Sequence, residues 1–271
     1  MPLSPLVSSY DQLILDLDGC IYVGEQAIPG SVEAVGALRE AGKRVAFVTN
    51  DPRHATEDYV AKLWRLGIKA SLADVVTVGG AMQHLLAETR RGRTAFVIGT
   101  DAMVGHVADA GLRVLNGTDL ASRAEVVVVA GTEDLVYDDL KNATLAVQRG
   151  ADFLAAARDP TYPQPDGFWP GTGALLAAVE YGAGRTASIV GKPEPQLLLT
   201  ALDRLGPGRT LVVGDRLDSD VAAAARADLD AALVLTGQTT REDLEGADPA
   251  PVAVADTLAA LVSRDAAPTP T

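Results

Sequence analysis

The sequence predicts an α/β fold: a doubly wound, mostly parallel sheet into which a second α/β module is inserted. Three observations predict it. Short apolar runs alternate with stretches of helical period along the chain, the pattern of right-handed βαβ units. Polar residues capable of chemistry stand just past four of those runs, at Asp16, Thr49, Lys192 and Asp215, and open α/β sheets bind ligands at the carboxyl ends of their strands. The span from Thr49 to Lys192 is far too long for one crossover and holds apolar runs and helical stretches of its own. The economical arrangement is one domain built from both ends of the sequence around an inserted module.

In chain order, the first strand is expected at 12–17, where Leu13-Ile14-Leu15 runs into two aspartates, and the first helix at 31–41, stopping at Gly42. Val45-Ala46-Phe47-Val48 gives a strand at 44–49, followed by a helix at 55–66 and a strand at 75–78. Inside the insertion, helices are expected at 81–91, 102–110, 137–149 and 173–181, and strands at 94–98, 125–130 and 153–156. The return to the first domain brings strands at 186–190, 211–213 and 232–235, with helices at 195–205 and 220–227. Gly42, Gly67, Gly111, Gly150, Gly182 and Gly206 fall where helices should stop, as C-terminal caps do. The expected domains are 1–79 with 186–264, and an insertion at 80–185 placed to act as a lid. Residues 265–271, made largely of Ala, Pro and Thr, are expected to form a disordered tail.

Composition bounds the function. Of 271 residues, 48% are hydrophobic but 4% aromatic, so the core must rely on Ala, Val and Leu. The net charge of −13 argues against nucleic acid, whose phosphates need Lys and Arg to displace counterions. A small anionic ligand is compatible with that charge where a local cation outweighs it. The single cysteine, Cys20, allows no internal disulfide and suits a reducing cytoplasm. No run approaches the roughly 18 apolar residues of a membrane span, and residues 1–10 lack the basic start and apolar run of a signal peptide.

Four motifs carry the chemistry. In Asp16-Leu17-Asp18-Gly19 the carboxylates sit at i and i+2 of a strand end and so face one side. Such a pair holds a divalent cation or shares a proton, or is a solvated Asp-Gly turn. As chemistry, it gives Asp16 as a nucleophile toward phosphorus and Asp18 as the acid and base. In Val48-Thr49-Asn50, Thr49 and nearby N–H groups could hold phosphate oxygens or cap the next helix. Lys192, in Gly191-Lys192-Pro193, could neutralise a phosphoryl group or be a surface turn lysine. In Gly214-Asp215-Arg216-Leu217-Asp218-Ser219-Asp220, Asp215 suits a hard cation such as Mg2+. Asp220 could cap the following helix or orient water on that cation, and Asp218 reads as a solvated turn residue. Carboxylates gathered near one point repel by several kcal/mol unless a cation joins them.

The set DLDG, VTN, GKP and GDRLDSD resembles the haloacid dehalogenase superfamily of aspartyl phosphatases, whose core is Rossmann-like. The long insertion, with Ala157-Arg158-Asp159-Pro160-Thr161-Tyr162-Pro163, Asp166-Gly167 and Pro170-Gly171-Thr172-Gly173-Ala174, is similar to the cap of the NagD-type subfamily. That subfamily includes phosphoglycolate, glycerol-phosphate, pyridoxal-phosphate and 4-nitrophenyl phosphatases. The resemblance implies a phosphatase that uses Mg2+ on a small phosphorylated metabolite, with caps that often take part in homodimer contacts. It implies Asp16 as nucleophile and metal ligand, Asp18 as acid/base and metal ligand through its carbonyl, and Asp215 as the remaining protein ligand. Thr49, Asn50 and the backbone at Asp51 would hold phosphate, Lys192 would bridge nucleophile and phosphate, and Asp220 would support the metal from behind. Tyr162 falls where some relatives carry a substrate-contacting histidine, Cys20 where Thr is usual, and Asp51 where Asn is common. Asp51 thus adds negative charge beside the phosphate site.

His54 is open to either a pocket or a helix-start surface position, while His84 and His106 read as ordinary helix residues. Arg158 and Trp169 are open between substrate contact and packing within the insertion. The rival functions are a phosphotransferase or mutase on the same fold, a receiver-type phosphoacceptor module, and a binding protein that has lost activity. The inserted module and Asp18 at i+2 disfavour the receiver, and the full set of catalytic residues disfavours the inactive protein.

Overall fold

The computed structural model describes residues 2–89, 93–164 and 167–264. The chain begins α1 (Pro5–Ser8), β1 (Gln12–Asp16), β2 (Tyr22–Val23), β3 (Gln26–Ala27), α2 (Ser31–Glu40), β4 (Arg44–Thr49), α3 (Thr56–Arg65) and β5 (Val75–Thr77). It continues α4 (Val78–Thr89), β6 (Thr94–Ile98), α5 (Asp101–Asp109), β7 (Arg113–Val114), β8 (Val126–Val129), α6 (Tyr137–Gln148), β9 (Asp152–Ala155), β10 (Thr161–Gln164), β11 (Gly167–Pro170), α7 (Thr172–Ala183) and β12 (Ser188–Ile189). It closes with α8 (Gln196–Leu205), β13 (Thr210–Gly214), α9 (Ala222–Arg226), β14 (Asp230–Val234), β15 (Ala253–Ala255) and α10 (Leu258–Val262). The tail expected at 265–271 lies outside the described residues.

Two compact units result. The first holds, among the described residues, 2–49, 56–76 and 192–264. Its six-stranded sheet runs β15-β14-β13-β1-β4-β5. β1 sits between β13 and β4, parallel to both, with Leu15 opposite Val213 on one side and Phe47 on the other. Every residue of β1 is buried, as a parallel strand covered on both faces requires. Leu13, Leu15 and Leu17 join Phe47, Val213, Leu38, Leu63 and Leu258 in one core cluster. Truncating Leu15 to Ala would cost roughly 2–5 kcal/mol.

The second unit comprises Asn50–Ala55 and Thr77–Gly191. Its five strands run β12-β9-β8-β6-β7, all parallel, and β10 and β11 form an antiparallel hairpin. Phe96, Ile98, Val127, Val129 and Phe153 pack beneath Ala143, Val147, Leu176 and Val179 of α6 and α7. Small aliphatic side chains fill both cores, as the scarcity of aromatics requires.

The structure departs from the expected elements in three ways. The strand expected at 186–190 in the first domain is a two-residue edge strand of the second sheet, with Val190 and Gly191 N–H groups donating to Ala155 and Ala156 carbonyls at 2.9 Å. The division therefore falls after Val76 and after Gly191 rather than at 79/80 and 185/186. Helix α4 begins at Val78, before Gly79-Gly80, because Thr77 Oγ1 accepts from Gly80 N at 3.0 Å. A Cβ at Gly79 would lie 2.4 Å from His106 Cδ2, so that glycine answers to packing of α5 and not to a chain break. The hairpins β2–β3 and β10–β11, the strands β7 and β15 and the short helices α1 and α10 were not expected from sequence. Strands of two to four residues, some containing proline, are too short for alternation to show.

Candidate active site

The fully buried strand β1 delivers Asp16 at its carboxyl end, and its parallel neighbour β13 delivers Asp215 one residue past its own end. Parallel pairing in register, Ile14 with Val212 and Leu15 with Val213, brings these two carboxylates side by side from opposite ends of the chain. Beyond β13 the backbone makes a wide π-type turn over Leu217–Val221 before α9, a feature common at functional sites. That turn places Asp220 back over the end of β13.

Lys192 joins the group. Its Nζ donates to Asp16 Oδ1 and to Asp220 Oδ1 at 2.6 Å. Asp220 Oδ2 accepts from the N–H groups of Asp215 at 3.2 Å and Arg216 at 3.1 Å. Gly214 makes room: a Cβ there would lie 2.1 Å from Asp220 Cγ. Relative exposures are 8% for Asp16, 3% for Asp215, 1% for Asp220 and 4% for Lys192, so solvent does little to screen their charges.

Ligand oxygens of Asp16, Asp215 and Asp220 lie within 4.8 Å of one another. Three buried carboxylates thus face one ammonium, and the excess negative charge appears in the titration of Asp16 and Asp215. Burial pushes the Asp16 carboxyl well above the ordinary carboxylate range; Lys192 pulls it down, while Asp220 and Asp215 push it up. Asp215 is pushed up to about 6 by burial and by Asp220. Burial alone would lower the Lys192 ammonium, but Asp16 and Asp220 outweigh it and raise the net value. A hard divalent cation fits this donor set, since carboxylate oxygens are its preferred ligands and its charge offsets theirs. Both Asp220 oxygens are engaged, by Lys192 and by backbone, whereas the bonds to Asp16 and Asp215 fall on one oxygen each, Asp16 Oδ1 and Asp215 Oδ2.

Asp18 lies past the end of β1 and is exposed, with its backbone bridged to Tyr22. Thr49 ends β4 and is buried. Asn50 and Asp51 belong to the second unit. A Cβ at Gly191 would lie 2.6 Å from Asn50 Oδ1, so that turn is close-packed. The charge expected from Asp51 is matched locally: Oδ1 accepts from Arg53 N at 3.0 Å and Nε at 2.8 Å, and Oδ2 from Nη2 at 2.9 Å. His54 is exposed. Arg158 is held by a two-pronged pair with Glu180, at 2.9 and 2.7 Å. Tyr162 lies on β10 opposite Trp169 of β11; its side chain lies outside the described residues, while Trp169 is partly exposed. Cys20 is buried, and desolvation, then Asp16, Asp215 and Asp220, push its thiol well up, so it is not a reactive thiolate.

Two contributors escaped the sequence reading. Arg53 neutralises Asp51, and the N–H of Gln238 donates to Asp215 Oδ2 at 2.7 Å. Two charges at i and i+2 after a strand could have signalled the first. Nothing local signals the second, because it joins segments that only the sheet brings together.

Comparison with known proteins gives the family. A model for haloacid dehalogenase-like hydrolases matches residues 13–113, and a second HAD-hydrolase-like model matches 189–261. The D-glycerol 3-phosphate phosphatase of Mycobacterium tuberculosis is 36% identical over 245 residues, covering 90% of this chain and 68% of that protein. The crystal structure of a glycerol phosphate phosphatase from the same organism, in complex with magnesium, superposes with a TM-score of 0.89 at 35% identity, covering 96% of this chain and 79% of that one. NagD from E. coli K-12 gives a TM-score of 0.85 at 27% identity, covering 93% and 98% of the respective chains. The chain belongs to the haloacid dehalogenase-like hydrolases, in the NagD-type group of phosphatases.

Proposed function

We propose that this chain is a Mg2+-dependent hydrolase of phosphomonoesters of small metabolites, working through an aspartyl-phosphate. The observation that carries the reading is the buried meeting of Asp16 and Asp215, from distant parts of the sequence, beside Lys192. Asp16, at the end of a rigid strand, attacks phosphorus in line, and the bond from phosphorus to the leaving alkoxide breaks. Asp18 gives that alkoxide a proton; its exposure suits a group that exchanges protons with solvent. Water then attacks phosphorus, loses a proton to Asp18, releases phosphate and regenerates the Asp16 carboxylate. Lys192 pulls Asp16 toward its ionised form, against burial, and meets the charge of the phosphoryl oxygens, and Asp220 holds Lys192 in place. Thr49, Asn50 and the backbone at Asp51 receive the other phosphate oxygens. Asp16, Asp215 and the Asp18 carbonyl are the ligands for Mg2+, which, when bound, supplies positive charge against the carboxylates and the phosphoryl group.

The second unit is assigned as a cap that selects the leaving group, with Tyr162 among its contacts, and copies of the chain pair through it. Glycerol phosphate heads the candidate substrates because of the M. tuberculosis relative, ahead of sugar phosphates, 2-phosphoglycolate and pyridoxal phosphate. A lone buried thiol supports a cytoplasmic setting. Among the described residues, no helix is long and apolar enough to cross a membrane.

The test is release of phosphate from 4-nitrophenyl phosphate and from those metabolites. EDTA should stop turnover, Mg2+ should restore it, and Asp16→Asn should abolish it. Turnover by Asp16→Asn would remove the nucleophile assignment.

A further inference from the structure

The carboxylate of Asp215 is enclosed by two glycines from different parts of the first unit. A Cβ at Gly19 would lie 2.6 Å from Asp215 Cγ and 2.7 Å from Oδ2; a Cβ at Gly237 would lie 1.8 Å from Oδ2 and 2.3 Å from Cγ. Real side chains do not approach that closely, so either substitution forces the carboxylate or the loop that carries the glycine to shift. Gly19 stands at φ +80, which also favours glycine, but Gly237 has no such backbone reason. Space for Asp215 is what its position demands.

The loop that carries Gly237, Thr236-Gly237-Gln238-Thr239, holds Asp215 through two bonds and its neighbours through two more. Gln238 N donates to Asp215 Oδ2 at 2.7 Å, and Thr239 N donates to the Asp215 carbonyl at 3.2 Å. Thr239 Oγ1 accepts from Leu217 N at 3.4 Å, at the start of the π-type turn. Thr236 Oγ1 donates to the Gly19 carbonyl at 2.5 Å, so the loop also grips the turn that follows the nucleophile. One oxygen of Asp215 is thereby fixed by protein, in a carboxylate whose ligand oxygen lies within 4.8 Å of that of Asp16.

We propose that the 236–239 loop is the positioning device of the cation site, its Gly237 and Thr236 setting the orientation of Asp215 and hence the affinity for Mg2+. The inference rests on the Mg2+ reading above and adds residues to it. Outer partners that orient a ligand typically change metal affinity by about 10–100-fold when lost. Thr236→Val removes the hydroxyl that ties loop to turn without adding bulk. Gly237→Ala inserts a methyl where Asp215 Oδ2 sits.

The experiment is calorimetric titration of the full-length protein with Mg2+ alone, together with thermal unfolding in EDTA and in Mg2+. Gly237→Ala and Thr236→Val should each weaken Mg2+ binding by about 10–100-fold and lose most of the Mg2+-dependent rise in Tm. Thr236→Ser, which keeps the hydroxyl, should restore both. Tm in EDTA should move little for Thr236→Val, which separates positioning from a general loss of stability. Wild-type Mg2+ affinity in Thr236→Val and Gly237→Ala would overturn the inference while leaving the Mg2+ reading intact. Absence of Mg2+ binding by the unaltered protein would overturn that reading, and this inference with it.

Discussion

Lys192 Nζ lies 2.6 Å from Asp220 Oδ1 while the same ammonium donates to Asp16, so a single cation links the end of β1 to the turn that follows β13. Asp220 completes the link by accepting two backbone N–H groups with its other oxygen. It acts on Asp16 through Lys192 and on Asp215 through that residue's backbone N–H.

Asp220→Asn should therefore lower kcat more than it raises KM for a small ester. An amide cannot accept from the ammonium and from both N–H groups at once, so one contact turns repulsive. Loss of a hydrogen bond to a buried charge costs about 2–3 kcal/mol. Urea unfolding should report that loss, and steady-state kinetics should show the kcat effect.

Removing divalent cations should reveal the strain among the carboxylates. Asp215 has an ordinary value of 3.8 and about 6 in the folded protein, so between these values the folded state binds more protons than the unfolded one. Stability then falls as pH rises through that window. In EDTA, the wild type should lose stability relative to Asp215→Asn as pH goes from 4 to 7, and Mg2+ should reverse the trend in the wild type alone. Equal pH profiles for the two proteins in EDTA would remove Asp215 as the source.

The pair between Glu180 and Arg158 makes the opposite pH prediction. The hydrogen bond from Arg158 holds the Glu180 carboxyl below its usual range, against the pull of burial, with help from the Ala187 N–H. A depressed carboxyl contributes stability above its unfolded value and loses it as pH falls through the folded one. Glu180→Gln should lower Tm by about 2–4 °C at pH 7, and the gap from the wild type should close in acid. Arg158 is partly exposed, so the effect stays at the modest end for ion pairs.

Gly79→Ala tests the packing of α4 on α5. Its methyl would meet the His106 ring at 2.4 Å, and the ring is held by Gln83 Oε1 at 2.9 Å from Nδ1. Overpacking of this kind typically costs about 1–3 kcal/mol, despite the gain in helix propensity from replacing glycine. Gly36→Ala on α2, where a Cβ meets nothing within 4 Å, should instead be neutral or stabilising in the same denaturation series.

The placement of Asp16, Thr49, Lys192 and Asp215 at or just past strand ends was legible from sequence because each follows an apolar run, and the period-two and period-3.6 patterns identify such runs without tertiary information. Their families of helices were legible for the same reason. The assignment of 188–189 to the second sheet was not, since a two-residue strand carries no pattern and its partner is chosen by the fold. The helix expected at 81–91 starts at Val78, because the poor helix propensity of two successive glycines is overridden by contacts that sequence does not show, among them His106 against Gly79. Asp51 looked like added negative charge until Arg53 was seen to match it. What sequence hides here are contacts between segments, and the loop at 236–239 is the clearest instance.

The central place of β1 has a consequence for synthesis. One flank of this wholly buried strand is covered by β4, made soon afterwards, but the other waits for β13, some two hundred residues later. Until the ribosome delivers that partner, the emerging chain presents an unsatisfied sheet edge, a surface prone to wrongful pairing with neighbours. Prematurely terminated products ending before β13 should accordingly be clients of chaperones or proteases, catalytically inert whatever the state of their first aspartate.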